Sequence, residues 1–341
     1  MIEKKHLEEI DILKGIAIIY VILAHAVIVY PVNLHDIPWC KMIYDLVRTT
    51  HMPLFFMVSG YCFSYKGGYP SYIKKKILRI LVPYLVFGLV DIVPRALFDT
   101  LYNRPRNVGE SLYNLAFYGG AKWFLYSLFL IFLIFPLIEK ITVNKIIYFI
   151  LLVIFVALKF IPGIPDLFLI KRTIYHLMYF MIGYGLKRFG FSVSKQTEIL
   201  KRRKIIPVII AVPVFALMFF AVPYYAIEDD QLLGIPLALL GIIFSFMIMS
   251  LITGSKISKP IVIFGVYSLQ LYLFNSYFLG LSRTLIVSVM KQNHPLLIIT
   301  CNIVFTLFVS ILFIKHIVAR FRITRFVTGI VEPVSKIEDD K

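Results

Sequence analysis

A histidine and a lysine share the first apolar run of the chain at a spacing suited to chemistry across a membrane. Lys14 and His25 are eleven residues apart, which is about 16.5 Å along an α-helix and about 20° beyond three full turns. Both side chains would project from one face of one helix, at opposite depths. An imidazole gains and loses a proton near neutral pH, which suits a general base acting on a hydroxyl. An interhelical hydrogen-bonding histidine is the structural alternative. Ionisable groups at membrane depth cost roughly 2.5–3.5 kcal/mol on insertion scales and normally face a cavity or a partner.

Other polar residues fall at the same end as His25. His51-Met52-Pro53 opens the second apolar run, and Tyr175 and His176 open the sixth. Asp91 and Arg95 stand four apart in the third, at pairing distance on a helix. Gln270, Tyr272 and Asn275 occupy the ninth. Together these groups predict a polar cavity able to bind a polyhydroxylated substrate. Singly, His51 and His176 also suit interfacial anchors, and Asp91 with Arg95 a structural ion pair. At the other end, Lys74-Lys75-Lys76-Ile77-Leu78-Arg79 leads into a helix containing Pro83. Such a cluster serves either as a topology signal touching anionic lipid or as a site for a phosphate-bearing ligand. Lys76 and Arg79 would share a face toward Lys14.

The elements that hold these residues are membrane helices. Of 341 residues, 60% are hydrophobic and only 16% charged, and the mean hydropathy is +0.84; a soluble domain is about 45–50% apolar and about 25% charged. Apolar runs lie at about 10–30, 50–65, 77–98, 123–138, 144–161, 173–189, 205–226, 232–253, 260–282 and 295–316, and each predicts a helix. The expected fold is therefore all-α, a polytopic transmembrane bundle of about ten helices. It forms one integral-membrane domain over 1–341, with 317–341 as a cytoplasmic tail.

Charge sets the orientation. The net charge is +17, but the basic residues gather in alternate loops, which points to a bilayer and away from nucleic acid. Placing the N-terminus inside puts 24 of the 36 lysines and arginines on the cytoplasmic side, so both termini are expected to be cytoplasmic. Ala24-His25-Ala26 has the look of a signal-peptidase site, yet Asp11, Lys14 and His25 in the run indicate a retained first helix. Cys40, Cys62 and Cys301 have no CxxC or CxxH spacing, which predicts neither a metal site nor a disulfide framework. Walker, GxSxG and HExxH patterns are missing, which argues against phosphoryl transfer, classical serine hydrolysis and zinc hydrolysis.

Four stretches carry a family likeness. Asp11-Ile-Leu-Lys14-Gly15-Ile-Ala-Ile-Ile-Tyr-Val-Ile-Leu-Ala24-His25 resembles the first helix of the acyltransferase-3 membrane family, especially its fucose O-acetylase-like branch. His51-Met-Pro-Leu-Phe-Phe-Met-Val-Ser59-Gly60-Tyr61 resembles its second helix, and Lys76-Ile-Leu-Arg79-Ile-Leu-Val-Pro83 its basic motif. Lys122-Trp123-Phe124-Leu125 is similar to its fourth-helix signature. The resemblance implies O-acyl transfer, usually of acetyl from cytoplasmic acetyl-CoA to a carbohydrate across the membrane. It implies His25 as the essential histidine, acting as base or as transient acyl carrier, and Lys14, Lys76 and Arg79 on the CoA side. His51, Asp91, Arg95, His176 and Asn275 would then contact the glycan acceptor, with no metal involved. Two positions depart from the pattern: Lys14 stands where many members carry arginine, and Asn275 where relatives often have histidine. No SGNH-type domain is appended, so the membrane domain would complete the transfer. The implied location is a bacterial cytoplasmic membrane. A transporter or flippase for a glycan or lipid-linked sugar is the rival reading of the same polar cavity, although it gives no special reason for the Lys14–His25 pair.

Overall fold

The computed structural model describes residues 7–93, 107–142, 144–161, 163–224 and 231–330. It is all-helical, with no strand among the described residues. The chain opens with α1 (Glu8–Ile28) and α2 (Pro38–Tyr61). Next come α3 (Tyr69–Lys76), a π-helical stretch (Ile77–Leu81) and α4 (Val82–Val90). After the undescribed segment follow α5 (Val108–Tyr118), α6 (Trp123–Ile141), α7 (Lys145–Leu158), α8 (Ile170–Arg188), α9 (Val193–Arg202) and α10 (Ile205–Ala221). The last third holds α11 (Gln231–Ile252), α12 (Ser258–Val266), α13 (Ser268–Thr284), α14 (Pro295–Phe313) and α15 (Arg322–Val327).

The described residues of each of the ten apolar runs are chiefly helical, and the boundaries follow local chemistry. Acidic Glu8, Glu9 and Asp11 occupy the first turn of α1, where they complement the positive end of the helix dipole. Asn107, Asn144 and Ser192 cap α5, α7 and α9 by accepting a backbone N–H from Glu110, Ile147 and Lys195, satisfying donors that the first turn leaves orphaned. Two runs differ from a straight helix. The ninth breaks between α12 and α13 with a bend of 90°, and α10 meets the amphipathic α9 at 104°. By length and composition four helical stretches among the described residues can cross a membrane (Glu8–Ile28, Val108–Ile141, Leu233–Ile252 and Pro295–Val318), and six if each bent pair counts as one. Other runs miss that test for visible reasons. The described part of α4 spans only nine residues, while α2 and α8 carry charged residues such as Lys41, Asp45, Arg48, Lys171 and Arg172.

The frame is built on α1, α2, α8 and α12. Helices α2 and α8 cross with backbones in contact: a Cβ on Gly60 would strike the Phe180 carbonyl, and one on Gly183 the Met57 carbonyl. Small residues permit such close crossings inside membranes. Gly15 of α1 and Gly265 of α12 meet in the same reciprocal way, against Ile261 and Asp11. Large apolar side chains remain exposed on the outer helices, among them Phe149 and Val153 of α7, Ile209 and Val212 of α10, and Val304 and Phe308 of α14. Exposed apolar surface of this extent suits lipid contact. The first part of the expected tail is docked rather than loose: Thr328 is buried, its carbonyl accepts from Gln270 Nε2 at 3.0 Å, and Gly329 lies against the Arg79 carbonyl.

Candidate active site

The cavity at the C-terminal end of α1 gathers residues from much of the bundle. It measures about 660 Å³ and is lined by His25 and Ala24 of α1, Tyr44, Arg48, Thr49 and His51 of α2, and Trp123 of α6. Lys159 and Asp166 beside α7 and α8, then Lys171, Arg172, Tyr175 and His176 of α8, Gly234 of α11 and Tyr272 of α13 complete it. Small-molecule sites typically occupy about 300–1,000 Å³.

The three histidines of this cavity are held in one way. His25 Nδ1 lies 2.8 Å from the Val21 carbonyl, His51 Nδ1 2.8 Å from that of Val47, and His176 Nδ1 2.7 Å from that of Arg172. A carbonyl only accepts, so each Nδ1 carries a proton and donates it. In the neutral ring Nε2 is then the lone-pair nitrogen. The three imidazoles line the same cavity. Pro53 also shapes this wall. Lacking an N–H, it cannot donate to the Thr49 carbonyl one turn earlier, and Thr49 lines the cavity.

Aromatic rings and cations make the rest of the surface. His176 packs against Phe56, Tyr175 and Trp123, with ring centroids 4.5, 4.9 and 5.3 Å apart. Arg172 lies 5.6 Å from the Trp123 ring centre and pairs with Asp166 at 2.9 Å. Lys159 sits 4.1 Å over Tyr175, whose hydroxyl is 3.0 Å from that of Tyr179. Rings with one apolar face and nearby hydrogen-bonding groups suit a sugar, which presents C–H faces and hydroxyl edges.

Of the acceptor-side residues named from sequence, His25, His51 and His176 come together here. Asp91 does not join them. Its carboxylate pairs with Lys122 at 3.5 Å and accepts from the Tyr277 hydroxyl; Arg95, the partner expected from spacing, lies outside the described residues. Asn275 is buried and donates Nδ2–H to the Tyr272 carbonyl at 2.6 Å, which places it behind the cavity wall. On the donor side, Lys14 Nζ lies 3.3 Å from Asp11, and Lys76 Nζ sits 3.5 Å over the Phe132 ring. Arg79 places its backbone against Gly329. A second cavity, of about 170 Å³, reaches the N-terminal part of α1, but its walls include Leu13, Met57, Leu186 and Phe246 and none of these three cations.

Two cations at the ends of apolar runs are buried. Lys122 is 3% exposed and donates to the Leu273 carbonyl at 3.2 Å. Gly119 and Gly120 just before it have φ of 73° and 52°, a region glycine enters without strain, and this turn carries Lys122 inward. The Gly-Gly pair beside Trp123 is the sequence signal for it. Arg283 of α13 is wholly buried and reaches the Ala26 and Val32 carbonyls; no local pattern marks it.

No curated protein and no solved structure matches the chain. An anchored imidazole at the wall of a large polar cavity, set in an all-helical membrane fold, is a site suited to activating a hydroxyl. The family model described as an acyltransferase domain matches residues 7–315, and the chain belongs to the acyltransferase-3 family of membrane acyltransferases.

Proposed function

We propose that the protein moves an acetyl group from cytoplasmic acetyl-CoA to a hydroxyl of an extracytoplasmic or lipid-linked glycan, in a bacterial cytoplasmic membrane. Both termini face the cytoplasm in this reading, all ten apolar runs lie within the bilayer, and the cavity opens to the opposite side. The supporting observation is His25: its Nδ1–H is committed to the Val21 carbonyl at 2.8 Å, and its ring lines the 660 Å³ cavity.

The chemistry follows from that arrangement. Nε2 of His25 takes the proton of the acceptor hydroxyl as its oxygen attacks the thioester carbonyl. The tetrahedral adduct collapses with cleavage of the carbon–sulfur bond, and the imidazolium returns its proton to the departing sulfur. The products are the glycan acetyl ester and the free thiol of CoA, so the proton balance closes within the site. Trp123, Tyr175 and Tyr272 give the acceptor ring apolar faces, while Thr49, His51 and His176 supply hydrogen-bonding groups. Lys14, Lys76 and Arg79, on the cytoplasmic side in this orientation, are assigned to the phosphates of CoA.

Purified protein incubated with radiolabelled acetyl-CoA and candidate glycans tests the reading. Label should pass to the glycan, and His25→Ala should lower the rate by about 10²–10⁴-fold, the usual worth of a general base, with unchanged amounts of protein in the membrane. Wild-type activity in that variant, or glycan movement across vesicles without acetylation, would refute it.

A further inference from the structure

Arg283 has no carboxylate partner among the described residues and no solvent contact; it is 0% exposed. Arginine is almost never fully buried unless paired, and removing its charge from water costs several kcal/mol. Its hydrogen bonds show what offsets that cost. Nη1 donates to the Val32 carbonyl at 2.9 Å, and Nη2 donates to the Ala26 carbonyl. Nε has no partner. The guanidinium is therefore spent on two backbone oxygens more than 250 positions away in the chain.

Those oxygens belong to the end of the helix that carries His25. Helix α1 stops at Ile28 and leaves through an extended Val29, so its final carbonyls lack helical donors. Glycine in a left-handed turn commonly solves this problem, but none stands here. The Val27 carbonyl accepts instead from Leu34 N–H at 2.9 Å, and the Ala26 carbonyl from Arg283. The positive charge also sits at the negative end of the helix dipole. One prong grips the residue after His25, and the other grips the loop that follows. Around this clamp Val27, Leu34, Cys40, Ile286, Ile298 and Ile299 form a separate apolar cluster.

We infer that Arg283 is a positioning residue: its two-pronged clamp on the last turn of α1 fixes the height and rotation of His25 against the substrates. The inference rests on His25 as the base of the proposed transfer. A lysine cannot replace it fully, because one ammonium does not span two carbonyls as a planar fork does.

The test compares Arg283→Ala and Arg283→Lys with the wild type in the full-length chain. Misplacing a catalytic group by about 1 Å costs on the order of 10²-fold, so kcat of Arg283→Ala should fall by about that factor while KM for donor and acceptor stays within about threefold. Arg283→Lys should recover part of the loss, and added methylguanidine should raise kcat of Arg283→Ala alone. A second readout is independent of turnover: peptide mass spectrometry of the diethyl pyrocarbonate reaction rate at each histidine. His25 should change its rate in Arg283→Ala, with His51 and His176 unchanged. That result stands even when wild-type protein does not use acetyl-CoA, which would count against the proposed function alone. Wild-type kcat in Arg283→Ala, or activity lost only in proportion to folded protein, overturns the inference. So does an unaltered His25 rate, or failure of both variants to reach the membrane, which would assign Arg283 to folding.

Discussion

Replacing Lys122 with methionine leaves the half-buried Asp91 carboxylate without a cation among the described residues, with the Tyr277 hydroxyl still donating to it. The two groups are 3.5 Å apart, with side chains 4% and 15% exposed. At that distance, with an effective dielectric of about 20, their attraction is about 5 kcal/mol. Breaking a buried pair from one side typically costs about 3–5 kcal/mol, whereas removing both charges together is often close to neutral. Lys122→Met and Asp91→Asn should therefore each destabilise the protein by about 3 kcal/mol or more, while the double variant should lose about 1–2 kcal/mol, mostly the bond from Lys122 to the Leu273 carbonyl. The coupling between the sites would be at least about 4 kcal/mol, well above the scatter for independent positions. Unfolding of the four proteins in one detergent, followed by tryptophan fluorescence, measures it. Additive single effects, or single losses below about 1 kcal/mol, would show that the pair is weakly coupled and that Asp91 does not depend on Lys122.

Two further outcomes follow from the packing. Trp123→Ala removes the ring that contacts Arg172 and His176 at the cavity; KM for the glycan should rise about tenfold or more, as for loss of a hot-spot aromatic, with KM for acetyl-CoA unchanged in initial-rate assays. Gly183→Leu forces a side chain into the Met57 backbone where α2 and α8 cross; it should sharply reduce folded protein on size-exclusion chromatography, while Gly280→Ala, which meets nothing nearby, should not.

Hydropathy located the helices because burial in lipid demands continuous apolar sequence, and that demand is local; four to six of the described stretches are long and apolar enough to cross a membrane. It did not reveal the 90° break beside Tyr267, because Gly265-Val-Tyr-Ser268 stays apolar enough to read as one helix. His25, His51 and His176 could be grouped from sequence since depth follows from counting residues along each helix. The tertiary partner of Asp91 was not legible, because Lys122 arrives from another element on a Gly-Gly turn to meet the carboxylate. Arg283 carried no sequence signal because charge normally stays in water, and only the three-dimensional course of α13 against the end of α1 makes its burial tolerable.

The anchoring of His25 also constrains the order of events. With Nδ1–H held by the Val21 carbonyl, the ring has one working nitrogen, and it cannot pass a proton from one edge to the other as a two-sided shuttle would. Under acyl transfer, the hydroxyl that gives the proton and the sulfur that receives it must both come within reach of the same Nε2. An acyl-His25 intermediate would let CoA leave first, whereas with His25 as general base the donor has to bring its thioester to the acceptor and both substrates must be bound before either bond changes. Double-reciprocal plots should then intersect, the pattern of a ternary complex, and free CoA should not exchange into acetyl-CoA until the glycan is present.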